Sequence, residues 1–512
     1  MPSRRLSELT RELAVGDADP WVRGITLDSR QVGAGDLYVA LPGRTTHGAR
    51  FAPQAVAAGA VGVLTDPVGV ELLSDAGLVV PVLAVADPRA SMGDLAAELY
   101  SRPADALTMI GITGTNGKTT ATFMVEALLQ AAGRRVGTIG TLGFRLDGAD
   151  LGGARTTVTT PESVDLHALL ALLRERGADT VVMEVSSHAL DLQRVAGISF
   201  DAAGFTNLGR DHLDFHHTME AYFRAKAALF EPARSRRAVI NVDDGYGRRL
   251  AEQVRSDGVV ALVTVSSAGD PAADWRVTDR QRLATGGSRA RIVGPAGELD
   301  AEVRLLGSYN VDNALVAVAL VSAVGIEPAQ VAPALATTQI PGRMQPVELG
   351  AGAPTVIVDF AHTPQAVAAA LAAVSGAQPA GPAPARVIVV LGCGGNRDRL
   401  KREPMGAAAA TGADVVVVTD DNPRGEEPAS IRAQVLAGAR AAAGRGRATV
   451  VDGGDRRAAI RTALAEANAG DLVAVLGKGH EHGQEVAGVV HPFDDVQVII
   501  RTWAELHPEP VR

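Results

Sequence analysis

An α/β protein of three domains is what this sequence predicts, and three observations predict it. At 512 residues the chain is too long for one ordinary hydrophobic core, given roughly 150 residues per domain. Short runs rich in Val, Ile and Leu recur along it and alternate with Ala-rich stretches of helical period. One such run, ending at Thr113, leads through a Gly-rich turn directly into a helical segment, as a parallel sheet requires.

Residues 1–105 contain DLYVALPG, VAAGAVGVLTD and PVLAVADPR, which read as short strands with helices between them, a small α/β domain. The polar SRPADA stretch at 101–106 marks a boundary, and LTMIGITGTNGKTT opens a second domain, 106–340. There TVVMEVSSH, DAAGFTNL and RAVINVDD continue the alternation. The pattern changes at ALVTVSS, WRVTD and RARIVGPAGELDAEVRL, where alternation about a Gly-Pro-Ala-Gly turn predicts an antiparallel insertion. In a third domain, 341–512, strands at TVIVDF, RVIVVLG, DVVVVTD, TVVDGG and LVAVLG alternate with Ala-rich helices, the pattern of a Rossmann-like doubly wound sheet. The Gly- and Pro-rich SGAQPAGPAPA before Arg386 is expected to be a loop within it.

Apolar residues make up 46% and charged residues 21%, enough to fill several cores and against extensive disorder. The formal net charge of -9 provides no general attraction for nucleic acid or an anionic membrane, so a phosphate ligand must be held by local groups. MPSRRLSELTRELAVGD has two arginines but no apolar segment after them, and no apolar run approaches the roughly eighteen residues of a membrane span, so a cytoplasmic protein is expected. The single cysteine, Cys393, excludes an intrachain disulfide and a Cys-clustered zinc site. In LGCGGNRD it reads as a small turn residue rather than a catalytic thiol.

The strongest local signal is Gly114-Thr115-Asn116-Gly117-Lys118-Thr119-Thr120 between an apolar strand and a helix. Backbone N–H groups at such a helix start surround phosphate oxygens, Lys118 neutralises charge, and the Thr119 hydroxyl suits Mg²⁺. The strict P-loop pattern would need Gly at 112, where this chain has Ile112. Glu184 ends the strand of VVMEVSSH, placing a hard oxygen ligand at the sheet edge where α/β sites lie; the alternative is an ordinary polar strand end. His212, His216 and His217 could be read as a zinc site, but no Cys is near and there is no HExxH spacing. Lys226 in EAYFRAKAALF falls at helical spacing, where a lysine is ordinarily solvated or snorkelling. Asn310 and Asn313 read locally as helix caps, and Arg343 as a residue of a domain junction. LGCGGNRD could be a dinucleotide fingerprint, except that Arg397 takes the place of the third Gly.

GTNGKTT is the form carried by the Mur ligases of cell-wall synthesis and the related folylpolyglutamate synthases. The sequence resembles the Mur ligases along nearly its whole length. LDSRQVGAGDLYVAL, MEVSSHAL, NLGRDHLDFH, YFRAKAALF, SYNVDNALVA, PGRMQ, DFAHTP, DNPR and GKGHE look like blocks of that family, in its order. They are most similar to the branch that adds diaminopimelate to UDP-N-acetylmuramoyl-L-Ala-D-Glu.

The resemblance implies a UDP-acceptor domain, a central P-loop-type ATP-binding domain and a C-terminal amino-acid domain, with ligation through an acyl phosphate. It implies that Lys118, Glu184, His212 and Lys226 are catalytic, and that Mg²⁺ is held among Thr119, Glu184, His212 and a CO₂-derived carbamate on Lys226. ATP would also meet Asn310, Arg343 on its phosphates and Asp359 near its ribose. Phe360 stands where many members have Tyr. Leu27, Asp28 and Ser29 would contact the UDP part of the acceptor, and Thr159, Thr160, Ser186 and Arg194 its muramoyl dipeptide; Leu192 replaces a Gln of some members, and no contact is expected there. Asp421, Asn422, Pro423 and Arg424 would receive diaminopimelate, since an arginine on a Pro turn pairs bidentately with the carboxylate that lysine lacks. Arg397, Gly477 and Glu481 would add contacts, Glu481 to an ammonium group. The protein is expected to act as a monomer without nucleic-acid or membrane partners.

Two competing functions share parts of this pattern. A folylpolyglutamate synthase or another Mur ligase would share the acyl-phosphate chemistry, but the EVSSHAL and DNPR blocks disfavour it. A nucleotide-binding regulator without ligase activity would not need the metal, lysine and amino-acid blocks, and would not couple phosphate release to both co-substrates.

Overall fold

The computed structural model describes residues 3–10, 18–43, 45–152, 158–283, 286–295, 297–350, 352–376, 385–444 and 448–508. Most of SGAQPAGPAPA, the alanine of the Gly-Pro-Ala-Gly turn and much of the N-terminal MPSRRLSELTRELAVGD lie outside these residues.

Three principal sheets follow one another along the chain. The first has four parallel strands, Gly24–Thr26, Asp36–Ala40, Gly62–Thr65 and Val82–Ala84, in sequence order. Helices cover both faces, which is why DLYVA reads as a continuous apolar run rather than an alternating one. Val164 of the following segment packs into this core beside Leu95 and Leu99.

The second sheet has eleven strands. Its parallel part runs Val136–Gly140, Thr180–Glu184, Thr108–Thr113, Ala202–Phe205, Arg237–Asn241 and Ala261–Ser266, and the chain changes direction across the sheet at Thr108–Thr113. A crevice at the C-terminal ends of the strands, beside such a reversal, is where an open α/β sheet receives ligands. Helices Lys118–Ala131 and Tyr309–Ala323 fill one face, while Ser163–Glu175, Met219–Ala227 and Gly245–Asp257 fill the other. Tyr309–Ala323 is apolar nearly all round because the sheet and helix Lys118–Ala131 enclose it. Burying each of Val311, Leu315, Val318 and Leu320 contributes about 1.5–3 kcal/mol, so this helix holds its neighbour firmly.

The antiparallel segment is an extension of this sheet, a correction to the expected insertion. ALVTVS is a parallel strand, Trp275–Arg282 pairs parallel to its end, and within this segment the antiparallel pairs join Trp275–Arg282, Ser288–Gly294 and Gly297–Val303, while Gly143–Leu146 and Ala149–Asp150 add antiparallel strands at the opposite edge. The alternating pattern marked the hairpin correctly but could not show that its first strand docks on the parallel edge. Asn310 and Asn313 also differ from expectation. They lie within the first turns of Tyr309–Ala323, whose preceding residue Ser308 makes no side-chain cap.

The third sheet has six strands in the order Gln345–Val347, Thr355–Asp359, Leu472–Leu476, Val387–Cys393, Val415–Asp420 and Thr449–Gly454, all parallel except the first. Asp359, Cys393, Asp420 and Leu476 end neighbouring strands, so the loops that follow gather at one edge. Cys393 is thus a strand residue, not a turn residue. It is buried, its thiol donates to Met405 Sδ at 3.4 Å, and burial pushes its pKa up to about 12, which leaves no reactive thiolate. Among the described residues no helix is long and apolar enough to cross a membrane.

Candidate active site

A cleft of about 2240 Å³ lies between the C-terminal edges of the second and third sheets. The glycine loop forms part of its wall. Gly114 and Gly117 have φ of +148° and +87°, and a Cβ at either would run into Thr206 Oγ1 or Asn313 Oδ1. Asn207 Oδ1 accepts the Asn116 N–H at 3.0 Å, while Thr206 Oγ1 and Asn207 Nδ2 donate to Asn116 O at 2.6 and 3.1 Å. The loop is therefore fastened from both sides. Asn207 opens the NLGRDHLDFH block read from the sequence and Thr206 stands directly before it, but neither was given a role there.

Thr119 Oγ1 donates to Glu184 Oε2 at 2.9 Å, and Thr141 donates to the same carboxylate through its backbone N–H at 2.9 Å and its hydroxyl at 3.1 Å. Glu184 is 1% exposed at the strand end, as its position predicts. From the third domain's side, Arg343 Nη2 reaches Thr119 Oγ1 at 3.3 Å, with its guanidinium 4.4 Å over the Phe360 ring. Arg343 Nε is buried without a partner among the described residues. Two carboxylate oxygens and a hydroxyl beside this cation make a site for a hard divalent ion, and the free guanidinium N–H is suited to a phosphate oxygen.

Lys226 overturns the solvated reading. It is 1% exposed, its Nζ donates to Gly114 O at 2.7 Å and lies 4.7 Å from the Tyr222 ring centroid. Burial, reinforced by the Lys118 charge, pushes its pKa well below the ordinary lysine value. Lys118 Nζ donates to Gly114 O and Thr115 O at 3.0 Å each, and burial lowers its pKa too. Tyr222, missed by the sequence reading, shares a 3.1 Å hydrogen bond with Thr115 Oγ1.

His212 packs beside His188 at 4.9 Å and lies 3.5 Å from Asp211. His216 is turned to Ser187 Oγ, and no group of three or more His, Cys, Asp or Glu converges on a metal position among the described residues. The zinc reading gains no support from this arrangement.

Asn310 lines the cleft, but its Nδ2 donates to Leu306 O and its Oδ1 accepts from Asn313 Nδ2. Asp359 accepts the Met344 and Ala361 N–H groups at 2.7 and 2.8 Å, so its carboxylate shapes the loop before any ligand arrives; burial raises its pKa. Thr159 lines the cleft and meets Thr141 Oγ1. Thr160 corrects an expectation, because its fully buried hydroxyl donates to Glu184 O and accepts the Ser186 N–H and so does not face the cleft. Ser186 caps helix Ser187–Asp191, and Arg194 donates to Glu162 and Thr160 O. Glu162 also accepts from Arg89, tying the first domain to the second. Leu27, Asp28 and Ser29 are not among the cleft's lining residues; Asp28 is engaged by Arg30, which holds its carboxyl down at about 2.

Across the cleft, Arg397, Asp421, Asn422, Arg424, Gly477 and Glu481 are brought together; Pro423 is buried beside them. Two of these charged side chains have partners within the protein. Glu481 is not a free carboxylate, since it accepts from Asn422 Nδ2 at 2.8 Å and Lys478 Nζ at 3.0 Å. Arg424 does not wait unpaired, since Nη1 donates to Gly395 O at 2.9 Å and Nε lies 3.3 Å from Glu485 Oε2. Lys478 and Glu485 belong to the GKGHE stretch and its continuation, but only the fold shows what they touch.

A phosphate-binding loop in one sheet and a charge-rich loop cluster in the next, opening on a common cleft, define a nucleotide-dependent ligase. The comparisons specify the kind. The chain matches the Mur ligase family, catalytic domain, over residues 22–100, the Mur ligase middle domain over 112–321 and the Mur ligase, glutamate ligase domain, over 342–479. It is 48% identical over 498 residues to a UDP-N-acetylmuramoyl-L-alanyl-D-glutamate–2,6-diaminopimelate ligase of Streptomyces coelicolor, covering 96% of this chain and 95% of that protein. A protein of the same name from Corynebacterium glutamicum is 45% identical, covering 93% and 90%. A solved structure of an enzyme of this name superposes with a TM-score of 0.68 at 31% identity, covering 99% and 100%. The chain belongs to the Mur ligase family.

Proposed function

We propose that this Mur ligase uses ATP to join an amine of diaminopimelate to the D-Glu γ-carboxylate of UDP-N-acetylmuramoyl-L-Ala-D-Glu, in peptidoglycan biosynthesis. The observation that carries the reading is the single cleft on which the Gly114–Lys118 loop and the Asp421–Arg424 loop both open. The relatives named for this activity support the choice of substrates.

The γ-carboxylate takes the terminal phosphoryl group of ATP and becomes an acyl phosphate. The amine then attacks the acyl carbon, and phosphate leaves from a tetrahedral intermediate. Lys118 and the loop N–H groups would hold the phosphates, Arg343 would add its unpartnered N–H, and Asn310 and Asp359 would border the nucleoside. Thr119 and Glu184, with His212 in the surroundings, would hold Mg²⁺. The metal supplies charge neutralisation for the phosphoryl group. Burial favours the neutral amine of Lys226 over its charged form, and the neutral amine adds to CO₂ with loss of a proton to give a carbamate anion, which would serve the metal in place of a cation.

Ser186, Arg194 and Thr159 would hold the muramoyl dipeptide, and the first domain, with Leu27 and Ser29, the UDP part. Arg397, Asp421, Asn422, Pro423, Arg424, Gly477 and Glu481 would surround diaminopimelate. The reading divides the chain at 105/106 and 340/341 into acceptor, ATP and amino-acid domains of a cytoplasmic monomer. Ligation of the UDP-linked dipeptide with lysine, meso- and LL-diaminopimelate, compared side by side, tests it; preferred use of lysine would overturn it.

A further inference from the structure

Of the 49 lysines and arginines in the chain only four are lysines, Lys118, Lys226, Lys401 and Lys478. All four stand at the cleft. Lys118 and Lys401 line it, while Lys226 and Lys478 are buried behind its walls, bound to Gly114 O and to Glu481 Oε2. Lysine offers a compact point charge where arginine offers a planar fork, and the chain keeps that compact charge for this one place. Lys118, Lys226 and Lys478 have partners there. The ammonium of Lys401 makes no hydrogen bond or ion pair among the described residues.

Lys401 closes the short turn Arg399–Lys401 and stands directly before helix Arg402–Gly412. A cation at that end is opposed by the helix dipole, so it does not serve the helix. The backbone is nonetheless fixed, because the neighbouring Arg402 is fully buried and donates to Glu426 Oε1 at 3.0 Å. The half-buried side chain of Lys401 is left to the cleft. Here the two walls approach each other, since His362 Nε2, on the wall of Lys401, lies 3.9 Å from Asp211 Oδ2, beside His212 on the other. The Lys401 charge is within electrostatic reach of both His362 and Asp211. It therefore faces the wall that carries Lys118 and His212.

Resting on the proposed ligation through an acyl phosphate, we infer that Lys401 is a further catalytic residue, which pairs with the transferred phosphoryl group from the wall opposite Lys118. In the first step a γ-carboxylate oxygen bonds to the terminal phosphorus as the bond to ADP breaks. In the second the amine nitrogen bonds to the acyl carbon, the carbon–oxygen bond to phosphate breaks, and phosphate leaves with that electron pair while the amine gives its proton to solvent. Lys401 keeps its own proton throughout. Its charge offsets the repulsion of Asp211 and stabilises the phosphate as it departs.

The experiment follows turnover of ATP, the UDP-linked dipeptide and diaminopimelate by wild type, Lys401→Ala and Lys401→Cys. Lys401→Ala is expected to lower kcat by about 10²-fold or more, with KM for diaminopimelate unchanged and a melting temperature no lower than that of wild type. Lys401→Cys is expected to be as slow, to recover when 2-bromoethylamine rebuilds an ammonium on the new sulfur, and to stay slow after iodoacetamide, which adds a neutral amide. The native Cys393 is buried and does not compete for either reagent. Turnover near the wild-type rate in Lys401→Ala overturns the inference, as does equal recovery with iodoacetamide. A loss confined to the KM for diaminopimelate also overturns it, and would make Lys401 a contact of the amino acid. If wild type forms no amide with diaminopimelate or lysine, the failure lies in the ligation reading and the inference falls with it.

Discussion

Lys118 and Lys226 donate to the same oxygen, the carbonyl of Gly114, at 3.0 and 2.7 Å. Two amines from helices far apart in the chain converge on one acceptor in a buried site, and each disfavours the other's charge. An anion entering this site relieves both.

Lys118→Ala should therefore lower kcat by about 10²-fold or more, as for other lost donors to a transition-state anion. Binding of the UDP-linked dipeptide, measured by calorimetry, should be unchanged, because Lys118 belongs to the nucleotide side. Turnover near the wild-type rate would refute its role in the phosphate cradle.

Lys226→Ala should be nearly inactive, with short carboxylates such as acetate restoring part of the rate in place of the carbamate. Lys226→Met should be inactive as well yet melt at a higher temperature, since it removes a buried amine without emptying the volume. A buried lysine with no part in the chemistry would leave the rate alone, whatever its replacement does to stability.

Much of this was legible in the sequence because it is written in runs of adjacent residues. Gly114–Thr120 shows its strand, turn and helix in one segment, and Glu184 shows itself as the last residue of an apolar run. The pairings that decide charge were not legible, because they join residues far apart. Lys226 looks solvated from its own helix, and its burial shows only when Gly114, 112 positions away, comes against it. Arg424 reads as a free cation until Glu485 is set beside it. The partners of Thr160 were hidden for a related reason: a polar side chain near a site can serve the backbone, as this hydroxyl serves Glu184 O and the Ser186 N–H.

Arg424→Ala should collapse the preference for diaminopimelate over lysine. Because the guanidinium is 24% exposed and partly screened, the loss in kcat/KM for diaminopimelate should be about 1–3 kcal/mol, or about 5- to 150-fold. Lysine should be used no worse, since it has no second carboxylate to lose that pairing. A mutant that keeps the full preference would remove the Asp421–Arg424 loop from the amino-acid site.

Gly117→Ala should abolish ATP-dependent turnover while leaving the fold intact. The φ of +87° strains any side chain there, and the added Cβ would displace Asn313 or the loop itself. Nucleotide binding followed by calorimetry should weaken, whereas binding of the UDP-linked dipeptide should not.

Asp495→Ala should destabilise the third domain by about 3–5 kcal/mol, because Arg456 donates to both its oxygens at 2.7 Å and both side chains are 0% exposed. Denaturant unfolding should show an early transition. A melt identical to wild type would mean that the pair adds nothing to stability.

The 3.3 Å contact from Arg343 to Thr119 spans 224 positions of sequence. On a ribosome, every strand of the eleven-stranded sheet, the glycine loop and Glu184 emerge before this arginine does. The half-made protein can hold the loop's shape, but the guanidinium that meets its hydroxyl belongs to the last third to be synthesised. On the proposed assignment of the domains, completion of the phosphate site is thus delayed until the domain that would bring the second substrate is also present, and a truncated chain would lack the means to spend ATP on an acceptor it could never extend.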